Sequence, residues 1–461
     1  MNIGIILAAG EGTRMKSRHP KVLHEISGKP LLSYVLDAAQ NADISRNVVI
    51  VGHGKDEVVE KISGENIIFE EQPVHQGTPY GTGYAVMQGI SHVADEDNVI
   101  VLCGDTPLIT STTLTELMEY HDSQNNNATV LTTELADPTG YGRIVRKDEG
   151  SLEEIVEHKD ASPAQRGIKE INSGIYCFSG KELKIGLKGI DNDNSQNEYY
   201  LTDVISVLVQ GGYKVGAFLI EDSTQIHGIN SRVQLAQADD IIRERINTGH
   251  MENGVTLINP KDTYIEPKVR IGKDTIVYPG AVLEGETVIG EDCIIRGTTR
   301  IVDSVIGNGV SIESTLIEKS KVDDGCKIGP YAHLRPDSDL GKNVKIGNFV
   351  EIKKSTLGDN SKASHLSYVG DALVGSGVNI GCGVVFVNYD GEKKYKSIIG
   401  DNAFIGSNSN LVAPVRVEDW GYVAAGSTIT ENVGEGELSI ARARQVNKAG
   451  WVEKKGLKKH K

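Results

Sequence analysis

Long apolar runs, a basic leader segment and paired cysteines are all missing from this sequence of 461 residues. Without a stretch of about 18 apolar residues, no membrane-spanning helix is predicted. The short apolar run at the start has no basic segment before it, so no secretory signal is predicted either. The five cysteines are scattered and show no C-x-x-C spacing, which favours reduced thiols over disulfides or a zinc site. We therefore expect a cytoplasmic protein.

An excess of positive charge is also missing. The chain has 48 basic and 63 acidic residues, which gives a net charge of −15. Such a charge repels nucleic acid and anionic membranes, so small molecules are the expected partners. The length exceeds what one hydrophobic core usually organises and predicts two or three domains.

The first half of the chain alternates strand-like segments, such as 3–8, with helix-like segments, such as 31–42. This alternation predicts an α/β domain with a mostly parallel sheet covered by helices. The charged segment from Ser231 to Asn253 has a helical pattern and is expected to connect this domain to the second half of the chain. The predicted boundaries are 1–232 for the first domain, 233–253 for a linker helix and 254–461 for the second domain.

Beyond the predicted linker helix, aliphatic residues recur at every sixth position. The register is kept over three runs, Ile271 to Ile301, Val322 to Ile352 and Ile399 to Ile429, and glycine often follows the aliphatic residue. A repeat this short cannot bury its own apolar face, so successive turns must stack, and hexapeptide periodicity indicates a parallel β-helix. The alternative, the strands of a β-sandwich, predicts a period of two.

The first chemical motif is LAAGEGTRM at Leu7–Met15, which follows an apolar strand. Gly10 and Gly12 let backbone amides approach phosphate oxygens, while Arg14 and Lys21 can neutralise a triphosphate. A glycine loop alone is also typical of ordinary turns. Of these two cations, Arg14 is predicted to act as the electrostatic catalyst.

The second motif is VIVLCGDTPL at Val99–Leu108, a strand that ends in Gly104-Asp105. A carboxylate at the carboxyl edge of a parallel sheet can hold Mg²⁺ against phosphates. The alternative is that Asp105 caps the following turn. Further strings are GTG at 81–83, DPTGYGR at 137–143, VEHKDA at 156–161, INSG at 171–174 and HGINSR at 227–232.

Taken in this order, these strings resemble the bacterial N-acetylglucosamine-1-phosphate uridylyltransferases with a fused glucosamine-1-phosphate N-acetyltransferase, nearly from end to end. The resemblance implies a Rossmann-like α/β nucleotidyltransferase domain, then an all-β, left-handed parallel β-helix of hexapeptide repeats, and a homotrimer. It implies acetylation of glucosamine-1-phosphate by acetyl-CoA at the C-terminal site. It also implies Mg²⁺-dependent uridylyl transfer from UTP to N-acetylglucosamine-1-phosphate at the N-terminal site, which yields UDP-N-acetylglucosamine and pyrophosphate for cell-envelope precursors.

The resemblance also assigns residues of the N-terminal site. It places the uridine nucleotide at Leu7, Ala8, Ala9, Gly10, Lys21, Gln72, Gly81, Thr82 and Asn230. It places the sugar at Gly142, Glu157 and Asn172, and Mg²⁺ at Asp105 and Asn230. Two departures leave the base contacts open. The segment QPVHQGTPYGTG is longer than the common pattern, so Gln72 and Gln76 are alternatives, and Cys103 stands where tyrosine is common.

Polar residues break the hexad pattern between positions 335 and 389. Arg335 and Lys353 supply cations for a phosphorylated sugar. His365 is the natural general base, because an amine that attacks a thioester must lose a proton, and the imidazole pKa of about 6.5 suits that transfer. The alternative for His365 is a surface imidazole on a β-helix coil.

The resemblance completes this C-terminal site. It makes His365 the base and places the sugar phosphate or acetyl group at Arg335, Lys353, Tyr368, Asn379, Asn388 and Tyr389. It places acetyl-CoA at Cys382, Ser407, Ala425 and Arg442. Cys382 stands where alanine is usual, and its alternative is a small buried filler.

Two segments outside the hexads have open interpretations. The segment 387–396 is expected either to reach across a trimer interface or to form a charged turn. The basic tail 454–461 either screens the phosphates of CoA or is a disordered end.

Three function classes are compatible with these patterns. The first is the bifunctional enzyme. The second is a single-activity nucleotidyltransferase whose β-helix only makes it a trimer, which would not need the group Arg335, Lys353 and His365. The third is a non-enzymatic scaffold, which turnover at the site of Arg14 and Asp105 would exclude.

Overall fold

The structure is a computed structural model that describes residues 1–75, 77–148 and 150–457. The chain divides into two units, Met1–Ile242 and Arg243–Lys461. Gln76 and the end of the basic tail, 458–461, lie outside the described residues. Among those described, no helix is long and apolar enough to cross a membrane.

The first unit contains a sheet with helices on both faces. The strands of this unit are β1 (Asn2–Ala8), β2 (Glu25–Ile26), β3 (Lys29–Pro30), β4 (Arg46–Val51), β5 (Ile67–Glu71), β6 (Asn98–Cys103), β7 (Ala128–Glu134), β8 (Arg143–Arg146), β9 (Leu152–Val156), β10 (Glu170–Ser179) and β11 (Val215–Leu219). Of these, β2 and β3 form a separate two-stranded sheet. Its helices are α1 (Leu31–Asn41), α2 (Lys55–Lys61), α3 (Thr82–Gly89), α4 (Ser111–Ser123), α5 (Pro163–Arg166), α6 (Gly180–Gly189) and α7 (Thr202–Gln210).

The strand order of the main sheet is β11-β7-β10-β6-β1-β4-β5. The pairs β1–β4, β1–β6, β4–β5 and β7–β11 are parallel, whereas β10 runs antiparallel to β6 and β7. The predicted mostly parallel sheet is therefore confirmed. Since β1, β4 and β6 run in the same direction, their carboxyl ends meet at one edge, where Ala8 is paired with Val51 and Leu7 with Cys103.

Alternation along the strands sends apolar side chains to both faces of this sheet. Ile6 and Leu102 pack into one core with residues of α1 and α4. Ile5 and Val101 pack into the other core with residues of α3, α6 and α7. The resulting three layers hold the carboxyl ends of the central strands in fixed positions.

The second unit is a coil of three parallel sheets, here called the first, second and third faces. The first face consists of Thr256–Leu257, Ile276–Val277, Ile294–Arg296, Ser311–Glu313, Lys327–Ile328, Lys345–Asn348, Lys362–His365, Asn379–Ile380, Phe404–Ile405, Tyr422–Val423 and Leu438–Ser439. The second face consists of Tyr264–Ile265, Val282–Glu284, Arg300–Val302, Leu316–Glu318, His333–Leu334, Glu351–Lys353, Tyr368–Gly370, Val385–Val387, Asn410–Val412 and Thr428–Ile429. The third face consists of Arg270–Ile271, Val288–Ile289, Val305–Ile306, Lys321–Val322, Asp339–Leu340, Thr356–Leu357, Ala372–Val374, Ser397–Ile399 and Val415–Val417.

Each strand of the coil pairs in parallel with the strand one turn later on the same face, as Leu334 does with Ile352. The aliphatic residues of the hexads point inward and form one continuous core, against which Ile271 packs while only partly buried. The unit is the left-handed parallel β-helix predicted from the hexads and the family resemblance. The predicted fold class is thus confirmed for both units.

Helix α8 (Arg232–Glu252) occupies the segment predicted as a linker helix. The division between the two units, after Ile242, falls within the sequence of this helix. The three-part division at 1–232, 233–253 and 254–461 stays a prediction. A last short helix, α9 (Trp451–Lys454), contains the first residue of the basic tail.

Candidate active sites

The first candidate site is a cavity of about 270 Å³ at the carboxyl edge of the main sheet. Nine residues predicted for nucleotide or metal binding line it, although they come from five separate segments. They are Leu7, Ala8, Ala9, Gly10, Lys21, Gln72, Gly81, Thr82 and Asp105. Tyr80 and Glu198 also line this cavity, and the sequence motifs did not single them out.

Gln72 follows β5 directly and is 2% exposed. Its backbone N–H donates to the carbonyl of Val51, at a distance of 2.8 Å, which ties this turn to the end of β4. Its position in the lining favours Gln72 over Gln76 as the nucleotide contact. That choice stays a prediction, because Gln76 lies outside the described residues.

Lys21 joins the two residues predicted to hold Mg²⁺. Its Nζ donates to Oδ2 of Asp105 and, at 3.0 Å, to Oδ1 of Asn230. Asp105 and Asn230 thus direct two oxygen atoms at one point. Mg²⁺ prefers oxygen ligands and usually takes one or two from the protein and the rest from phosphates and water, so this pair fits the ion.

Arg14 is exposed on the short helical turn Thr13–Met15 that follows Gly12. It lies outside the lining of both cavities, as far as the described residues define them. The structure therefore brings Lys21, and not Arg14, into contact with the other predicted residues.

A second cavity of about 190 Å³ adjoins the first and shares Leu7, Thr82 and Cys103 with it. All three residues predicted for the sugar, Gly142, Glu157 and Asn172, line it. Burial raises the pKa of Glu157, and the Thr202 hydroxyl, 3.4 Å from its carboxylate, acts in the opposite direction. Tyr141, Tyr176 and Thr202 also line this cavity.

Cys103 stands at the boundary between the two cavities. Its Sγ lies 3.7 Å from the carbonyl oxygen of Gly174. Burial, together with the nearby Asp105 carboxylate, raises the pKa of the Cys103 thiol to about 12. The thiol is therefore neutral at physiological pH, and Cys103 lines the two cavities as a small side chain rather than acting as a nucleophile.

The second candidate site lies on the β-helix, where the chain leaves the first face and enters the second. The pairings of Asn348 with His365 and of Ala363 with Ile380 bring His365 opposite Cys382 on the next coil. Two further pairings continue this alignment to Ser407 and Ala425. The predicted base and three predicted acetyl-CoA residues therefore form one column, with coils about 4.8 Å apart.

The predicted sugar-phosphate residues lie beside this column on the second face. Arg335 and Lys353 occupy the same register on adjacent coils of the second face. Gly370 occupies this register on the coil after Lys353. Asn388 is 7% exposed, and its Nδ2 donates to the hydroxyl of Tyr368 at 3.3 Å. Asn379 begins a first-face strand three residues before Cys382.

Two carboxylates that sequence reasoning passed over belong to this group. Glu351 accepts a hydrogen bond from Arg335 at 2.8 Å and thereby raises the pKa of that guanidinium. Asp371 accepts one from Asn388. Both stand between positions 335 and 389, where polar residues break the hexad pattern, so their position in the sequence was the available signal.

Three predicted residues of this site are less enclosed. Tyr389 is 54% exposed on the segment between Val387 and Ser397, and Arg442 is exposed beyond the last coils. Cys382 is half-buried, and both its predicted contact with acetyl-CoA and the alternative of a small filler stay predictions. It lies in the turn that follows Asn379–Ile380.

Comparisons with known proteins match both units of the chain. The family model of the nucleotidyl transferases matches residues 3–232, and that of the bacterial transferase hexapeptide (six repeats) matches residues 319–354. Fold and sites define a nucleotidyltransferase joined to a hexapeptide-repeat transferase. The Bifunctional protein GlmU of Clostridioides difficile (strain 630) is 56% identical over 454 residues, 98% of this chain and 98% of the relative. The chain belongs to the family of the bifunctional GlmU proteins.

Two further relatives with the same name cover nearly the same length. The protein from Acetivibrio thermocellus is 55% identical over 99% of this chain and 98% of its own. The protein from Alkaliphilus metalliredigens is 52% identical over 99% of both chains. The family resemblance stated from the motifs is thereby confirmed.

Proposed function

We propose that this chain catalyses two consecutive steps in the synthesis of UDP-N-acetylglucosamine. The second unit transfers the acetyl group of acetyl-CoA to glucosamine-1-phosphate. The first unit then transfers the uridylyl group of UTP to N-acetylglucosamine-1-phosphate in an Mg²⁺-dependent reaction and releases pyrophosphate. The product serves cell-envelope precursors. The observation that carries the proposal is the convergence of nine predicted residues on one cavity, beside a second cavity lined by the predicted sugar residues.

In the first unit, the two adjoining cavities offer neighbouring spaces for the nucleotide and the sugar phosphate. A phosphate oxygen of the sugar attacks the α-phosphorus of UTP in line, and the bond from that phosphorus to the pyrophosphate oxygen breaks. Lys21 and Arg14 offset the negative charge on the transferring group and on the departing pyrophosphate. Asp105 and Asn230 would hold Mg²⁺, which when bound supplies further positive charge to the phosphate oxygens.

In the second unit, His365 removes a proton as the amine nitrogen of glucosamine-1-phosphate attacks the thioester carbonyl. The new C–N bond forms, the C–S bond breaks, and the CoA sulfur leaves and takes up a proton. Arg335 and Lys353 bind the sugar phosphate, while Tyr368 and Asn388 orient the sugar. The column of Cys382, Ser407 and Ala425 runs in the direction that an extended acetyl-CoA would follow towards Arg442.

The proposal includes a cytoplasmic homotrimer. Tyr389 supports this assembly, because a residue predicted to contact the substrate is 54% exposed in the single chain and is available to a neighbouring copy. Sedimentation equilibrium of the purified protein tests the assembly, and a monomeric mass would contradict it.

The activity test uses purified full-length protein with glucosamine-1-phosphate, acetyl-CoA, UTP and Mg²⁺, and follows CoA thiol and pyrophosphate separately. The His365→Ala variant is expected to lose about 10² to 10⁴ in the rate of CoA release. With N-acetylglucosamine-1-phosphate supplied, it retains pyrophosphate release. Asp105→Asn is expected to show the opposite pattern. His92→Ala is the control, because His92 pairs with Glu70 and lines neither described cavity.

Release of pyrophosphate without any release of CoA by the unmodified protein would mean that the β-helix is only a scaffold. Full CoA release by His365→Ala would instead remove this histidine from the role of base.

A further inference from the structure

The ammonium group of Lys21 stands where a metal ion would stand between Asp105 and Asn230. It donates to one oxygen of each side chain, Oδ2 of the aspartate and Oδ1 of the asparagine. The side chains of Lys21 and Asp105 are only 14% and 17% exposed, so this contact is largely shielded from water. The two oxygens are the same atoms that the proposed function assigns to Mg²⁺.

Neighbouring contacts fix this arrangement. The Nδ2 of Asn230 donates to the carbonyl of Gly228 at 3.2 Å, which turns Oδ1 towards Lys21. The backbone N–H of Ile229 donates to the carbonyl of Asp105 at 2.9 Å and ties this loop to the end of β6. The two oxygens are therefore held in place before any metal arrives.

Lys21 is also held close to the site. A Cβ on Gly12 would lie 2.7 Å from the Cβ of Lys21, and Gly12 has a φ of +67°. A residue with a side chain at position 12 would be strained and would push Lys21 away. The glycine loop thus brings the lysine to the two oxygens as well as leaving room for phosphate.

We propose that Lys21 occupies the metal position in the nucleotide-free protein, so that metal and nucleotide bind in concert. An ammonium group and a divalent cation repel each other and require the same two oxygens, so the metal binds weakly while Lys21 is there. Nucleotide phosphates offer Lys21 another anionic partner and release Asp105 and Asn230 to the metal. By thermodynamic linkage, the metal strengthens nucleotide binding by the same factor. The inference rests on the proposed function only for the location of the metal.

The test measures binding of Mn²⁺, which like Mg²⁺ accepts oxygen ligands, by electron paramagnetic resonance of the free ion. In the unmodified protein, saturating UDP-N-acetylglucosamine is expected to raise Mn²⁺ affinity at least about fivefold. In Lys21→Met, Mn²⁺ affinity without nucleotide is expected to rise by a similar factor, because the competitor is gone. The enhancement by nucleotide should shrink in this variant to the part that the phosphate oxygens supply as metal ligands.

Arg14→Met is the matched control, because it removes another loop cation that does not contact Asp105 or Asn230. If Lys21 only binds phosphate, both variants will bind Mn²⁺ without nucleotide as the unmodified protein does, and the inference is then wrong. If Asp105→Asn still binds Mn²⁺ normally, the proposed metal site itself is wrong. Should Lys21→Met fail to fold, the absence of any nucleotide effect on Mn²⁺ affinity in the unmodified protein overturns the inference alone.

Discussion

At the scale of single residues, Asn172 shows how the sugar cavity fixes a side chain. Its Oδ1 accepts a hydrogen bond from the N–H of Gly174 at 3.0 Å, and its Nδ2 donates to the hydroxyl of Tyr176 at 2.7 Å. Tyr176 is 2% exposed and lines the same cavity. Both ends of the amide are therefore held, and one N–H and one lone pair are left for the sugar.

We expect Tyr176→Phe to weaken binding of the sugar phosphate more than binding of UTP. The change removes the acceptor that orients Asn172 and leaves the ring in place. Loss of one such hydrogen bond costs about 1 kcal/mol, which corresponds to roughly a fivefold rise in KM for N-acetylglucosamine-1-phosphate. Steady-state kinetics of pyrophosphate release, with each substrate varied in turn, measure this split.

Tyr34→Phe is the matched control for this prediction. Its hydroxyl takes part in a hydrogen bond too, as the donor to the backbone carbonyl of Ile26, and Tyr34 lines neither described cavity. An equal rise of both KM values in Tyr176→Phe, or the same change in Tyr34→Phe, would show a general loss of structure instead of a positioning role.

At the scale of elements, the hexads predicted which residues point inward but not which residues meet on the surface. The column of the second site joins His365, Cys382, Ser407 and Ala425, whose successive spacings are 17, 25 and 18 residues. The longer step contains the segment between Val387 and Ser397, which leaves the coil and returns to it. A period of six could not reveal this alignment, because the inserted residues lie outside the coil and contribute no inward-pointing positions to the repeat.

In the first unit, too, the sequence pattern predicted elements but not all of their contacts. Apolar runs predicted the strands β1 and β6 and thereby the edge at which the glycine loop and Asp105 meet. They did not predict that β10 lies antiparallel between β6 and β7, because the apolar pattern of a buried strand is the same for both directions. The bulge in β10 between Asn172 and Tyr176, which brings these side chains together, has no sequence signal beyond Gly174.

Also at this scale, Gly370 is a coil position where a side chain would disturb the second site. A Cβ there would lie 2.4 Å from the hydroxyl of Tyr368 and 2.8 Å from Nδ2 of Asn388. We expect Gly370→Ala to displace both side chains and to slow CoA release about tenfold, or roughly 1.4 kcal/mol in the barrier. Pyrophosphate release from N-acetylglucosamine-1-phosphate, measured on the same sample, should not change.

Gly249→Ala is the matched control for this change, since a Cβ at position 249 would meet open space. Unchanged CoA release in Gly370→Ala would show that the positions of Tyr368 and Asn388 do not matter for acetyl transfer. Loss of both activities would show that the substitution disturbs more than its own coil.

At the scale of the whole molecule, each unit carries its own hydrophobic core. The cores of the first unit are built from residues of the main sheet and its helices, and that of the second unit from the inward residues of the coil. Stability of a coil is the sum of contacts between neighbouring turns, whereas the sheet and its helices cooperate as one domain. The interactions that oppose unfolding therefore differ between the two units.

We expect two calorimetric unfolding transitions that can be shifted separately. Ile352→Ala removes a fully buried side chain from the coil, and Ile100→Ala removes one from the sheet. Each substitution is expected to lower the free energy of unfolding of its own unit by about 2–5 kcal/mol. The midpoint of one transition should therefore fall while the midpoint of the other stays in place. UDP-N-acetylglucosamine at about 100 times its Kd should raise only the midpoint of the transition that Ile100→Ala lowers. The free energy of unfolding of that unit should increase by roughly 2.7 kcal/mol, as expected for a ligand that binds only the folded state. A single transition that both substitutions lower equally would instead mean that the two cores unfold as one, and the nucleotide would then stabilise the acetyltransferase unit as well.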